Sequence, residues 1–101
     1  MSPPLTSKQR AYLRGLGHKL NPLTHVGKEG VTEALVDSIR QAFSKRELIK
    51  IRTRESAPEG PRESAEAITA AIKDACVVQA VGYTALIYRP HPDSPEIKLP
   101  G

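Results

Sequence analysis

The chain has few of the residues that usually carry covalent chemistry, cofactor binding or membrane insertion. Its 101 residues include one cysteine, no tryptophan and only four aromatic side chains. A single cysteine excludes an internal disulfide and fits a reducing compartment. Cys76 lies in an apolar run, where a small core residue is its expected role. No apolar run has membrane-spanning length, and the first residues lack the segments of a signal peptide, so we expect a soluble, cytoplasmic protein.

The sequence patterns that enzymes use are also missing. The three histidines, His18, His25 and His91, have no cysteine or carboxylate neighbours at metal-ligand spacing. There is no Gly-x-Ser-x-Gly elbow, and no glycine loop has the longer form that ends in Gly-Lys-Ser/Thr. We therefore expect no catalytic residue, no metal, no cofactor and no small-molecule substrate. His18 and His25 are interpreted as residues that form local hydrogen bonds.

Acidic side chains are absent from the first 28 residues, whereas basic ones are frequent there. Residues 1–54 contain eleven lysines or arginines against four acids, and residues 55–101 contain four against seven. Such a one-sided basic region is typical of a protein that binds a polyanion, in particular nucleic acid. The alternative is that the lysines only keep a small protein in solution.

Hydrophobic periodicity predicts seven elements in a single domain of residues 1–101, with its core at about 5–89. Apolar residues at steps of three or four predict helices, and β-branched or alternating runs predict strands. Helices are expected over 6–17, 32–44 and 62–75, and strands over 23–26, 48–52, 76–81 and 84–88. Gly82 and Tyr83 are expected to form the turn of a closing hairpin, and Tyr88 to lie in the core. The prolines after residue 89 predict an irregular tail.

This order, α-β-α-β-α-β-β, predicts an α+β fold of two layers, with helices packed on a four-stranded mixed sheet. Thr6 and Gln9 have the spacing of a capping box at the start of the first helix. The stripe expected to pack inward consists of Leu5, Gln9, Tyr12, Leu13 and Leu16. The basic residues of this helix fall largely off that stripe and are expected on its outer surface: Lys8, Arg10 and Arg14.

The stretch Val26-Gly27-Lys28-Glu29-Gly30-Val31-Thr32 connects the first predicted strand to the second helix. Glycine lets a backbone approach a ligand closely, and the N-terminus of the following helix favours an anion. The pattern therefore predicts a phosphate-approach loop with Lys28 at its tip, as in KH-type RNA modules. The alternative is a tight turn with no ligand. Glu29 opposes phosphate binding locally, and we expect it to face solvent or to support the helix start.

Several separated blocks in order resemble the bacterial ribosome-assembly RNA-binding proteins, the stand-alone form of the chloroplast RNA splicing and ribosome maturation (CRM) domain. The blocks are residues 6–16, 26–33, 47–51 and 81–90, together with His18, Leu20, Pro22 and the tail residues Ile97, Leu99 and Pro100. The resemblance implies a fold like the C-terminal domain of translation initiation factor three, with an extra helix in front. It also implies association with precursors of the large ribosomal subunit and binding of structured ribosomal RNA.

The predicted RNA contacts combine the charge pattern with this resemblance. The family's Gly-x-x-Gly falls on Gly27, Lys28, Glu29 and Gly30, and its basic helix positions fall on Lys8, Arg10 and Arg14. Further candidates are Lys19, Lys50, Arg52 and Arg89. Lys50 and Arg52 are alternatively the solvated side of a strand, and Arg89 either reaches a phosphate or caps the sheet. Two features depart from the family pattern: Tyr83 stands where a basic residue is common, so that stacking could replace a charge contact, and residues 57–61 form a long proline-glycine loop.

The leading hypothesis from the sequence is a monomeric, non-catalytic RNA-binding protein that assists assembly of the large ribosomal subunit. A second hypothesis is a protein-interaction adaptor that docks through its tail or a sheet edge. A splicing-type role is a third, which the short chain makes less favoured.

Overall fold

The computed structural model describes residues 5–93 and 95–100, and the seven elements occur in the predicted order. The helices are α1 (Ser7–Gly17), α2 (Glu33–Ala42) and α3 (Pro61–Ala71). The strands are β1 (Thr24–Val26), β2 (Leu48–Thr53), β3 (Cys76–Val81) and β4 (Thr84–Tyr88). The α+β class predicted from the sequence is thereby confirmed. Within the described residues, no helix is both long and apolar enough to cross a membrane.

The helix starts follow from their capping residues. The Thr6 side chain accepts a hydrogen bond from the Gln9 backbone N–H, and the Gln9 side chain accepts one from the Thr6 N–H, which completes the predicted capping box. Thr32 caps α2 by accepting from the Leu35 N–H. Gly60 precedes α3 and has no side chain that could cap it. The helix begins at Pro61, which suits the first turn because proline has no N–H that would be left without a hydrogen bond.

The third helix is shorter than predicted, since it ends at Ala71 rather than near residue 75. Ile72 is already extended, with φ −121° and ψ 118°, and Asp74 has a left-handed φ of 66°. This bend turns the chain into β3 at Cys76. The alanine periodicity did not predict this bend, because aspartate tolerates a left-handed φ but does not require one.

The sheet has the order β1-β2-β4-β3, with β1 parallel to β2 and the other two pairings antiparallel. It is therefore mixed, as predicted. A two-residue turn joins β3 to β4, since Val81 pairs with Thr84 and Gly82 has a φ of 61°. A glycine with positive φ at the first central position is typical of the type II′ hairpin turn.

Helices cover both faces of the sheet, so the expectation of two layers is corrected to helix–sheet–helix. On one face α2 and α3 enclose the larger core, which includes Phe43, Ile39, Ile68 and Ile87. On the opposite face α1 covers a smaller core, which includes Leu13, Leu48, Val78 and Leu86 together with Tyr88, buried as predicted. Alternating residues of β4 enter the two cores in turn, as the twofold period of a strand requires.

Helix α1 packs with a narrower stripe than predicted. Leu13 and Gly17 are buried, whereas Tyr12 is 44% exposed and Leu16 39% exposed. A Cβ on Gly17 would lie only 2.6 Å from a methyl carbon of Leu86. The glycine therefore lets the last turn of α1 approach β4 closely.

The described residues of the tail, 89–93 and 95–100, form no helix or strand, but they are docked on the fold. The buried Glu47 carboxylate accepts hydrogen bonds from the backbone N–H groups of His91, Glu96 and Ile97 at 2.6, 2.8 and 2.7 Å. Ile97 and Leu99 pack against the core beneath α1. Burial acts to raise the pKa of the Glu47 carboxyl, but these donors together with the charge of His91 outweigh it, and the pKa is lowered from its ordinary value of 4.5.

Candidate nucleic-acid interface

The glycine loop is an exposed turn held at both ends by the sheet and by α2. Val26 is buried, and its carbonyl accepts a hydrogen bond from the Arg54 N–H at 2.9 Å, which ties the end of β1 to the end of β2. The Gly30 N–H donates to the Gly27 carbonyl at 2.9 Å and closes the turn. Lys28 and Glu29 occupy its two central positions and are exposed. The loop therefore presents Lys28 to solvent on a fixed base.

The two glycines of the loop differ in whether the fold requires them. Gly30 has a φ of 71°, and a Cβ there would lie 3.0 Å from Pro58, so the turn itself requires glycine. Gly27 has no left-handed φ, and nothing lies within 4 Å of where its Cβ would be. Neither backbone strain nor packing within the described residues therefore requires glycine at position 27, and the open space above it leaves the backbone accessible to a ligand.

A cleft of about 370 Å³ lies between the last turn of α1 and the sheet, and its charged side chains are basic. Arg14 and His18 line it from α1, and Lys50 lines it from β2. The remaining lining residues are Gly17, Gln79, Val81, Thr84, Ala85 and Leu86. No acidic side chain is among the described residues that line the cleft. It can hold an anion without a neighbouring carboxylate to repel it.

The strand register connects this cleft to the glycine loop. Arg52 follows Lys50 by two residues on the same face of β2, and it pairs across the sheet with His25 of β1. His25 and Arg52 are exposed, and His25 also lines the shallow depression of about 330 Å³ around the glycine loop. Arg14, Lys50, Arg52, His25 and Lys28 thus form a continuous surface, which we call the basic strip.

Two predicted contact residues have their guanidinium groups engaged elsewhere. Arg10 donates from Nη1 to the carbonyls of Val77 and Val78 at 2.9 and 2.6 Å, where the register of β3 shifts. The Arg10 side chain therefore faces the sheet, whereas its place in the helix had predicted that it would lie on the outer surface of α1. Arg89 donates from Nε to the Lys73 carbonyl at 2.9 Å, which favours the capping alternative. It follows the far end of β4, roughly 16 Å from Thr84 at about 3.3 Å per residue.

The other two predicted cations, Lys8 and Lys19, are exposed, and neither is among the described residues that line the cleft or the depression of the basic strip. Lys8 is exposed in the first turn of α1, about 9 Å along the helix axis from Arg14 at 1.5 Å per residue. Lys19 is exposed just after the helix ends. Glu29 is exposed beside Lys28, as expected, and it is the acidic group nearest to the strip along the chain.

Sequence reasoning did not predict the position of two histidines, whereas it had already raised stacking by Tyr83 as a replacement for a charge contact. His18 and His25 line the two depressions of the basic strip, whereas the sequence had suggested only local hydrogen bonds. The alternation of exposed His25 with buried Val26 was the available signal for β1. The ring of Tyr83 is 48% exposed, and the guanidinium carbon of Arg52 lies 5.9 Å from its centroid.

Comparisons with known proteins identify a family, relatives and a solved structure that this chain resembles. The family model described as CRS1 / YhbY (CRM) domain matches residues 5–89. The Bacillus subtilis protein YqeI, named a probable RNA-binding protein, is 34% identical over 96 residues, which are 95% of this chain and 99% of that protein. A Haemophilus influenzae protein named RNA-binding protein is 35% identical and covers 95% of each chain. The solution structure of a Staphylococcus aureus protein superposes with a TM-score of 0.78 at 35% identity, covering 96% of this chain and all of that one.

Proposed function

This chain belongs to the CRS1 / YhbY (CRM) domain family, and from that membership we propose that it is a non-catalytic RNA-binding protein. Relatives that match it almost end to end are named for RNA binding. We further propose that its RNA is structured ribosomal RNA in precursors of the large subunit, and that it assists their assembly as a cytoplasmic monomer. This finer assignment rests on the resemblance seen in the sequence.

The observation that carries the proposal is the basic strip. Its lysine and arginine side chains come from α1, β2 and the glycine loop, and β1 contributes His25, so the strip exists only in the folded chain. Lysine and arginine side chains position an RNA backbone through its phosphates without reading sequence. An RNA strand would pass Lys28 and the open backbone at Gly27, cross Arg52 and His25, and enter the cleft beside Lys50 and Arg14.

Two predicted residues receive different roles in this proposal. Arg10 and Arg89 hold β3 and the residues before it through their backbone hydrogen bonds. A guanidinium has five N–H donors, so each retains donors, but its position is set by the sheet. We therefore propose them as supports of the RNA-binding surface, with Lys8 and Lys19 as contacts at its margin.

The test is the salt dependence of RNA binding by the variant Lys28→Ala. Removing one phosphate contact should weaken binding to every RNA sequence and reduce the slope of log affinity against log salt by about one. Lys45→Ala is the matched control, since Lys45 is exposed beside Glu47 and the tail and away from the strip. Unchanged affinity and slope for Lys28→Ala would show that the loop is only structural. Crosslinking in cells followed by sequencing of the attached RNA tests the ribosomal assignment.

The adaptor hypothesis loses its main support, because the tail is part of the fold. Ile97 and Leu99 contact the core beneath α1, and Glu47 binds the tail backbone. Deleting residues 90–101 would expose that core, so such a deletion would not separate an adaptor from an RNA-binding protein.

A further inference from the structure

The turn between β3 and β4 places an exposed aromatic ring beside the basic strip. The chain has four aromatic residues, of which Phe43 and Tyr88 are buried. Tyr83 at the turn is 48% exposed, and its neighbour Val81 is 61% exposed. Isolated exposed rings are common on proteins and need no function. The residues around Tyr83 therefore decide whether its ring has a binding function.

The turn is held rigidly against β2. The Tyr83 carbonyl accepts hydrogen bonds from the Thr53 backbone N–H at 2.7 Å and from the Thr53 hydroxyl at 3.3 Å. Gly82 supplies the positive φ that the two-residue turn needs. The backbone that carries the ring therefore loses little conformational entropy when a ligand binds, which favours a preorganised contact.

The ring forms one wall of an open cleft of about 500 Å³, whose charged lining residues are two arginines and one glutamate. Its other described lining residues are Arg52, Thr53, Arg54, Glu55 and Ser56. The guanidinium carbon of Arg52 lies 5.9 Å from the ring centroid, at the outer limit of a cation–π contact. Arg52 also belongs to the basic strip, so an RNA backbone bound there would run past the edge of this cleft.

We propose that Tyr83 and Arg52 form a stacking site for one unpaired RNA base, an inference that rests on the proposed RNA-binding function. Tyrosine rings and arginine guanidinium planes are the groups on which unstacked bases pack. Phosphate contacts along the basic strip would hold the strand, and the base would enter the cleft between Tyr83 and Arg54. The site selects RNA with an accessible base over a continuous duplex, whose bases remain stacked and paired.

The absence of tryptophan makes a direct test possible. In Tyr83→Trp the new indole is the sole tryptophan of the chain, and a base stacked on it should quench its fluorescence. Tyr12→Trp is the matched control, because Tyr12 has a similar exposure of 44% but lies on α1 and lines none of these clefts. A hairpin RNA with an unpaired loop should quench Trp at position 83 and leave Trp at position 12 largely unchanged.

Affinity measurements with two RNAs separate stacking from charge. Tyr83→Leu should lose roughly five- to tenfold in affinity for the hairpin RNA, at the lower end of base–aromatic stacking. It should lose nothing for a blunt duplex with the same number of phosphates. Its salt slope should equal that of the wild type, because no phosphate contact is removed. Tyr83→Phe should bind like the wild type, since stacking uses the ring and not the hydroxyl.

The outcomes distinguish this inference from the proposed function. If the hairpin RNA binds the wild type but leaves Trp at position 83 unquenched, or if Tyr83→Leu weakens both RNAs equally, the stacking site is refuted and RNA binding stands. If neither RNA binds the wild type, both proposals fail. Quenching at position 83 alone, with a loss confined to the hairpin RNA, supports the site.

Discussion

The two faces of the sheet are built from the same strands but present opposite charge. Helix α1 carries three basic residues and no acid, and the strand positions beside it include the exposed Arg52 and His25 and the half-buried Lys50. On the other face, α2 carries Glu33 and Asp37 against Arg40, and α3 carries Glu63 and Glu66 against Arg62. Arg40 is also partly neutralised by its ion pair with Asp37 at 2.6 Å. A polyanion is attracted to the α1 face and repelled from the face of α2 and α3.

The faces also differ in how completely they are covered. Two helices enclose the larger core, which contains Phe43 at 1% exposure. A single helix with the docked tail covers the smaller core, and it leaves Arg52 exposed near the end of β2 and Lys50 half-buried beside the cleft. We therefore expect the face with two helices to supply most of the stability, whereas the face with one helix has room for a ligand.

The largest effect should come from the enclosed face. Phe43→Ala should lower the free energy of unfolding by about 3–5 kcal/mol, because it removes a fully buried ring and leaves a cavity. Tyr12→Ala, which removes an aromatic ring from the open face, should change it by no more than about 0.5 kcal/mol. Equilibrium unfolding in urea measures both. Similar losses for the two variants would contradict the division into a stability face and a binding face.

A smaller loss in the free energy of unfolding is expected at Glu47, which binds the backbone of the tail. Glu47→Gln places an amide N–H₂ against backbone N–H donors, and we expect a loss of about 2–3 kcal/mol. The exposed Glu66→Gln on α3 is the control and should be nearly neutral.

The same carboxylate gives the protein a stability that depends on pH. Because the folded state lowers the pKa of Glu47, its contribution is complete above the ordinary value of 4.5 and is lost as pH falls through the lower folded value. Urea titrations of the wild type between pH 6 and acid should show this loss, and Glu47→Gln should show a shallower dependence. Parallel curves for the two proteins would exclude Glu47 as the group responsible.

The smallest predicted changes are in the salt dependence of RNA binding, and the variants that cause them should keep the fold. The double variant Lys50→Ala/Arg52→Ala should reduce the salt slope of RNA binding by about two, since each side chain is expected to neutralise one phosphate. Arg62→Ala, an exposed arginine on α3, should leave the slope unchanged. An equal change in the salt slope per removed charge on both faces would show that RNA binding depends only on the net charge of the molecule and not on where the charges lie.

Local signals in the sequence predicted the elements well because each element has its own determinants. The capping box at Thr6, the cap at Thr32 and the glycine of the hairpin turn all act within a few residues. The errors lie where distant residues decide. Helix α3 ends early to turn into β3, Arg10 binds carbonyls at the shifted register of β3, and α1 packs on the sheet through Leu13 and Gly17 rather than Tyr12.

The sequence by itself determined the order of elements, the glycine turn with its exposed Lys28 and the concentration of positive charge in the first half. These depend on residue type and on spacing over one or two turns of chain. Only the tertiary structure decided which cations share a surface, because Arg14, Lys50, Arg52 and Lys28 come from three segments that strand pairing and helix packing bring together. It also decided that Glu47 binds the tail, a contact between groups more than forty residues apart for which no local pattern exists.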